Sequence, residues 1–371
     1  MEQKFNYCFF CLEKKLTIGK EGVITQMRRI SWAHTKSKKV SVISATIKDI
    51  ALRCGVSEGT VDRALNGREG IKKETKEKIL QAAKEMGYRP NHLASCLARG
   101  SSKTIGVVCA GLDNPFFSAF VESIERMAYE NGYYLNLILT HGSKEKELEG
   151  INYLAGRQVD GLIIIPLGMG EEYEQQLLNL QIPIVTVYNR ISDKFTHVEV
   201  DGRQIMRNAV RRMVEKGYKR IAYLDSGYER SVNLNNNRYS LNQRRLGYMD
   251  GMEQEALGEP VILTNYDWNP LEKFLQAEGG KPAVLCPFDA VAIHVLDEMK
   301  QHGISVPEQV GIMGFDNIRI LNSISPRLAS VDCEITGLGR KAFQALLQMI
   351  NGDTTVREYI TEYTIIEGES L

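Results

Sequence analysis

From Ile105 to Phe315 short apolar runs alternate with segments whose apolar residues recur every three to four positions, and few folds tolerate that alternation. It predicts strand then helix over Ile105–Ala110 and Phe116–Glu130, Tyr134–Leu139 and Lys144–Ala155, and Gly161–Ile165 and Glu172–Leu180, with Ile184–Tyr188 closing a first series. A second series follows: Arg203–Lys216, Ile221–Leu224, Arg244–Glu255, Val261–Thr264, Leu271–Gln276, Ala283–Cys286, Ala290–Gln301 and Val310–Phe315. Runs that are apolar throughout are strands buried on both faces, and a helix after each returns the chain for parallel pairing. The expectation is two parallel sheets, each covered by helices on both sides.

Upstream the signals change character. Thr46 with Asp49 forms a capping box ahead of Ile47, Ile50 and Ala51, which share one helical face, and Gly55 stops that helix. Ser57 caps a second short helix from Glu58 to about Leu65, with Asn66-Gly67 as its stop. A third runs from about Lys73 to Met86, and Ile50, Val56, Val61, Leu65 and Ile79 make one small shared core. After Tyr88-Arg89-Pro90, Asn91 caps another short helix to Ala98, and Gly100-Ser101-Ser102 is a linker. The domain reading is an extension over 1–45, a three-helix domain over 46–90, a hinge helix and linker over 91–102, and a two-lobed body over 103–371. Its lobes take about 104–190 with 333–353, and about 191–332 with 354–371.

Charge separates the two ends. Residues 1–100 carry 20 Lys+Arg against 10 Asp+Glu; the remainder carries 26 against 36, out of 46 of each in the whole chain. A basic piece on an acidic body suits a polyanion partner for the first piece alone. Seven scattered cysteines fit a reducing compartment, and Cys8-x-x-Cys11 has no second pair at zinc-ribbon spacing. No run approaches the length of a membrane span, and Met1–Lys20 lacks the parts of a signal peptide. A cytoplasmic protein without metal or cofactor is expected.

The two helices around Gly55 have helix-turn-helix spacing, whose second helix fits a major groove with its N-terminal residues at base edges. Glu58, Gly59, Asp62 and Arg63 then face DNA, while Thr46, Ser57, Thr60 and Asn66 are short polar groups suited to phosphates. Glu58 and Asp62 put two acids on a face that meets phosphates. Glu58 suits cytosine N4; Asp62 either orients Arg63 or Arg53, or replaces a phosphate contact and weakens binding.

Thr46–Asn66, the Gly87-Tyr-Arg-Pro-Asn91 run and Ala94-Ser-Cys-Leu97-Ala resemble the lactose-repressor (LacI/GalR) family, and the resemblance extends to the C-terminus. It implies a hinge helix that enters the minor groove of operator DNA, with Leu97 as the wedge between base pairs and Asn91, His92 and Ala94 beside it. Ile47 joins the DNA-contacting set. An apolar wedge costs a few kcal/mol of unstacking, offset by the surface that bent DNA offers. The resemblance continues in Asp113-Asn-Pro-Phe-Phe-Ser118, Val198-Glu-Val-Asp-Gly202, Pro287-Phe-Asp-Ala-Val-Ala292 and Val310-Gly-Ile-Met-Gly-Phe-Asp-Asn317, and implies a periplasmic-binding-protein-like body of type I.

In such a body a ligand sits between the lobes at the carboxyl ends of the strands. Sugars need planar donors and acceptors and an aromatic face; Asn114, Arg190, Arg244 and Asp289 supply the first, Phe116 and Phe117 the second. The plainer readings are a helix cap for Asn114, core packing for Phe117 and a surface ion pair for Arg244. No nucleophile elbow, P-loop or HExxH occurs, Leu167-Gly-Met-Gly170 lacks the third glycine of a dinucleotide motif, and no catalytic residue is assigned. The expected protein is a DNA-binding transcription regulator, a homodimer with a tetramer left open, which represses carbohydrate utilisation under control of a sugar-like effector. Its rivals are a periplasmic-type sugar carrier and a sugar-modifying enzyme.

Overall fold

A computed structural model describes residues 45–89, 100–225, 236–264 and 268–371. The chain divides into two compact units, Met1–Arg89 and Pro90–Leu371. The N-terminal extension over 1–44 and the hinge residues Asn91, His92, Ala94 and Leu97 lie outside the described residues.

In the first unit α1 (Ile47–Cys54), α2 (Glu58–Leu65) and α3 (Lys73–Glu85) close on one core. Ile50, Val61 and Ile79 are fully buried, with Val56, Leu65, Met86 and Tyr88 packed against them. Thr46 caps α1 as the spacing predicts: its backbone NH donates to Asp49 Oδ2 at 2.8 Å and its Oγ1 accepts from the Asp49 NH at 3.3 Å. Gly55 ends α1 at φ +68°, a left-handed conformation that glycine adopts without cost, and so turns the chain into α2.

The second unit holds two six-stranded sheets. The first contains β1 (Thr104–Cys109), β2 (Tyr134–Leu139), β3 (Gly161–Ile164), β4 (Ile184–Val187), β5 (Thr196–Val200) and β11 (Glu358–Thr361), in the order β11-β5-β4-β3-β1-β2 and parallel throughout. The second contains β6 (Arg220–Asp225), β7 (Val261–Thr264), β8 (Pro282–Leu285), β9 (Gly311–Phe315), β10 (Ala329–Asp332) and β12 (Thr364–Ile366), in the order β12-β10-β9-β8-β6-β7. Only its edge pairing of β12 with β10 is antiparallel. Strands β3 and β4 are buried at every position, as a sheet covered on both faces requires.

Helices cover the sheets: α4 (Pro115–Glu130), α5 (Lys144–Gly156), α6 (Glu171–Leu178) and α11 (Ile335–Ile350) belong to the first lobe; α7 (Gly202–Glu215), α8 (Tyr239–Gln254), α9 (Trp268–Gln276) and α10 (Asp289–Gln301) belong to the second. The lobes are therefore not cut where the sequence suggests. Thr196–Val200 and Glu358–Thr361, assigned above to the second lobe, pair with each other and with β4 in the first. Both lie next to a crossing point, and the patterning of a strand does not say which sheet it joins. The chain crosses three times: from β5 to α7, from β10 to α11 and from β11 to β12.

Candidate nucleic-acid interface and ligand cavity

The helix-turn-helix presents a polar face whose groups are set locally. Ser57 Oγ accepts from the Thr60 NH at 3.2 Å and lies 2.9 Å from Thr60 Oγ1, so one hydroxyl proton of the pair remains for an outside acceptor. Glu58, Gly59 and Arg63 are exposed, and neither charged side chain has a hydrogen bond or ion pair among the described residues. No side chain at Gly59 stands beside Glu58. Asp62 is placed differently from expectation. Its Oδ1 accepts from Asn66 Nδ2 at 2.8 Å and its Oδ2 faces Arg68 at 3.5 Å, while Arg53 pairs with Glu85 on α3. Asp62 thus orients neither Arg53 nor Arg63. The Asn66 amide also donates to the Asp62 carbonyl at 3.0 Å, so both its N–H bonds are used within the helix end and a phosphate contact would have to displace one.

A cavity of about 400 Å³ lies between the lobes of the second unit. Pro115, Phe116, Phe117, Ile165, Leu167, Leu241 and Phe288 give it apolar walls. Phe116 meets Phe117 and Tyr188 edge to face at 5.2 and 5.1 Å. Polar groups enter from both lobes. Arg244, buried, donates to the Pro287 carbonyl at 2.5 Å and lies with its guanidinium carbon 3.6 Å over the Phe315 ring. Asp316 is buried in the wall, and burial pushes its carboxyl up to about 8 against the pull of Arg244. Tyr188 and Asp316 take φ of +58° and +107°, conformations that bulky or charged residues seldom adopt and that cluster at functional sites.

An asparagine network crosses between the lobes at the cavity wall. Asn189, which follows β4, donates to the carbonyls of Pro166 and Asn237, each at 3.1 Å, and accepts from the NH and Oγ of Ser240 at 3.2 and 3.1 Å. Asn237 donates through its backbone to Leu167 and through its amide to the carbonyls of Gly168 and Arg190. Behind them Glu147, fully buried, accepts from the Leu167 and Gly168 NH groups and the Tyr173 hydroxyl. That carboxylate fixes the loop which carries Leu167 into the cavity.

The residues read from sequence divide here. Asn114, Phe116, Phe117 and Arg244 line the cavity, and Asn114 is also the cap of α4, its Oδ1 accepting from the Phe116 NH at 3.0 Å. Arg190 and Asp289 do not line it. Arg190 spends its guanidinium on Asp193 at 2.7 Å and Glu358 at 2.9 Å, where β11 joins the sheet edge. Asp289 is fully buried behind the wall, accepting from Ser330 Oγ at 2.7 Å and the Ile318 NH at 2.8 Å, and burial lifts it to about 7. Gly314 makes room for it, since a Cβ there would fall 2.1 Å from Asp289 Oδ1. Asp316, directly after β9, is the residue that the after-a-strand rule should have chosen, and Asn189, Asn236 and Asn237 went unread. Among the described residues no cluster suited to a metal occurs, the cysteines are buried and free, and no helix is long and apolar enough to cross a membrane.

Two domain profiles match the chain: "Bacterial regulatory proteins, lacI family" over residues 46–91 and "Periplasmic binding protein-like domain" over residues 210–371. The HTH-type transcriptional regulator AscG of Escherichia coli (strain K12) is 31% identical over 319 residues, which covers 83% of this chain and 92% of that one. The chain belongs to the lacI family of bacterial regulatory proteins. As a lacI-family member it is a DNA-binding transcriptional regulator, and its relatives are regulators, not enzymes. Its fold agrees with the Lac repressor dimer bound to operator and the anti-inducer ONPF, at a TM-score of 0.75 and 22% identity over 88% of this regulator and 99% of that chain. A periplasmic binding protein/LacI transcriptional regulator from Alkaliphilus metalliredigens QYMF, complexed with D-xylulofuranose, matches at a TM-score of 0.64 and 26% identity over 72% of this regulator and 98% of that chain.

Proposed function

We propose that this regulator is a repressor of carbohydrate utilisation that acts in the cytoplasm as a homodimer on a pseudo-palindromic operator, under control of a sugar-like effector between its lobes. The observation that carries this reading is the cavity itself. Its walls come from both lobes, its aromatic faces suit the C–H faces of a sugar ring, and its polar groups bond to both lobes at once. A ligand there touches the network that sets how the lobes close, and it shifts DNA affinity by its differential affinity for the two states. On the DNA side Glu58, Gly59 and Arg63 read bases. Thr46, Ile47, Ser57 and Thr60 fix register on the backbone, and Asn66 joins them only if DNA breaks its bond to Asp62. The family resemblance assigns Leu97, flanked by Asn91, His92 and Ala94, to the minor-groove wedge.

The test is a mobility-shift titration of the full chain on DNA selected from a random pool, with and without a panel of neutral sugars, alongside sedimentation of the free protein. A dimer whose operator affinity changes at least about tenfold with one sugar is the expected result, within the usual range of coupling between sites. Operator affinity indifferent to every ligand that the cavity binds would overturn it.

A further inference from the structure

Among the described residues the charges that face the cavity are Asp113, Arg238, Arg244 and Asp316, and each cation has a partner. Arg238 pairs with the buried Asp225 at 3.5 Å. Arg244 is held by the Pro287 carbonyl and the Phe315 ring. Asp113 adds an exposed carboxylate at the rim.

Helix N-termini, which otherwise receive anions, are partly spent as well. At α4, Pro115 has no NH, the Phe116 NH goes to Asn114 Oδ1 at 3.0 Å and the Phe117 NH to the Asn114 carbonyl at 3.0 Å. At α8 the Tyr239 and Ser240 NH groups go to Asn237 Oδ1 and Asn189 Oδ1. Helix α10 carries the acidic Asp289 in its first turn. A phosphate ester brings nearly two negative charges and needs charge-assisted donors. Among the described residues this cavity offers it no cation without a partner.

Two lining residues carry a buried polar atom without a partner among the described residues, Tyr188 Oη and Asn236 Oδ1, and the second has its orientation fixed. Asn236 is 4% exposed and lines the cavity; its Nδ2 donates to the Gly142 carbonyl in the first lobe at 3.0 Å, which fixes the orientation of the amide. Its Oδ1 is then buried with no hydrogen-bond partner among the described residues. A buried acceptor left unmade is costly, and a ligand that donates to it recovers that cost.

We infer that the cavity takes an uncharged hydroxylated ligand, one of whose hydroxyls donates to Asn236 Oδ1, and that it rejects the corresponding phosphate ester. This rests on the reading of the cavity as the effector site and narrows the class of effector. The test is a thermal-shift titration of the full-length protein at constant ionic strength with D-ribose, D-xylulose, D-glucose and cellobiose, each beside its terminal phosphate ester. At least one neutral sugar raises the melting temperature, and its ester binds at least about tenfold more weakly, the equivalent of one lost hydrogen bond. Asn236→Leu, close to asparagine in volume, weakens the neutral sugar by a similar factor. The comparison of sugar with ester uses the unaltered protein and stands even if the variant fails to fold. An ester that binds as tightly as its parent sugar, or a folded Asn236→Leu protein that binds the sugar undiminished, overturns the inference and leaves the sugar reading intact. No shift with any member of either class overturns the sugar reading itself.

Discussion

The DNA-reading unit and the ligand-binding unit hold their polar groups in opposite ways. Along the helix-turn-helix face of the first, hydrogen bonds are local and exposed: Thr46 with Asp49, Ser57 with Thr60, and Asp62 with Asn66 are three or four residues apart. Around the cavity of the second, buried bonds reach far in sequence: Asp289 reaches Ser330 across 41 residues, and Asn189 reaches Ser240 across 51. Local bonds leave the outer face of a small domain free to meet a partner. Distant ones tie separate segments together, so that a ligand touching one segment is felt by the others. The contrast fits a reader of fixed shape coupled to a sensor of variable shape.

Core truncation should separate the units most sharply. Ile79→Ala removes the centre of the small three-helix core, at a cost of about 2–4 kcal/mol that a domain of this size can barely spare. DNA binding is lost in a mobility shift while the calorimetric transition of the ligand-binding unit stays in place. Asp289→Ala acts on the other unit. It strands the Ser330 hydroxyl and the Ile318 NH in a buried site and lowers that unit's stability by about 2–4 kcal/mol in denaturant titration, with the helix-turn-helix unaffected.

The two units also titrate with opposite sign. Burial lifts Asp289 to about 7 and Asp316 to about 8, so in the folded ligand-binding unit these carboxyls keep protons that the unfolded chain releases. Their contribution to stability is full below the unfolded carboxylate range and fades as pH rises through about 7 to 8. In the helix-turn-helix the hydrogen bonds from Thr46 hold Asp49 below its ordinary value. That contribution is present at neutral pH and is lost as pH falls through the lowered value. Melting curves from pH 3 to 9 should show the ligand-binding transition falling toward alkaline pH and the helix-turn-helix transition falling toward acid. Parallel pH profiles would erase the distinction.

Smaller effects follow from single contacts. Thr46→Ala deletes the cap of α1 and costs the DNA-reading unit about 1 kcal/mol, visible as weaker operator binding near its melting temperature. Arg190→Ala breaks two partly exposed ion pairs, shifts stability by less than about 1 kcal/mol and leaves ligand affinity unchanged in calorimetric titration.

The same contrast governs what the sequence discloses. The cap at Thr46, the left-handed stop at Gly55 and the buried Ile50, Val61 and Ile79 are legible because each depends on neighbours a few residues away. Strand and helix in the larger unit are legible for the same reason. The lobe boundaries are not, because β11 joins the first sheet through β5, 161 residues away, as in the bond from the Arg357 NH to Thr196 Oγ1, and because β5, though paired with nearby β4, leads straight into the second lobe. Arg190 and Asp289 follow strands and carry charge, which makes them plausible ligands. Whether such a residue faces the cavity or an internal partner is decided by Glu358 in one case and by Ser330 and Ile318 in the other, and none of these is near in sequence. Asn236 gave a weaker signal still, since its significance lies in one oxygen that no described residue satisfies.

The most direct test of the account is the salt dependence of binding by the full chain to a selected operator and to random DNA. The account predicts a tighter complex on the operator by at least about a thousandfold, and affinity that falls steeply with salt on both as counterions are released. Glu58→Ala should erode the preference for one base position while the salt slope on random DNA stays the same. Equal affinity for operator and random DNA at every salt concentration would contradict it.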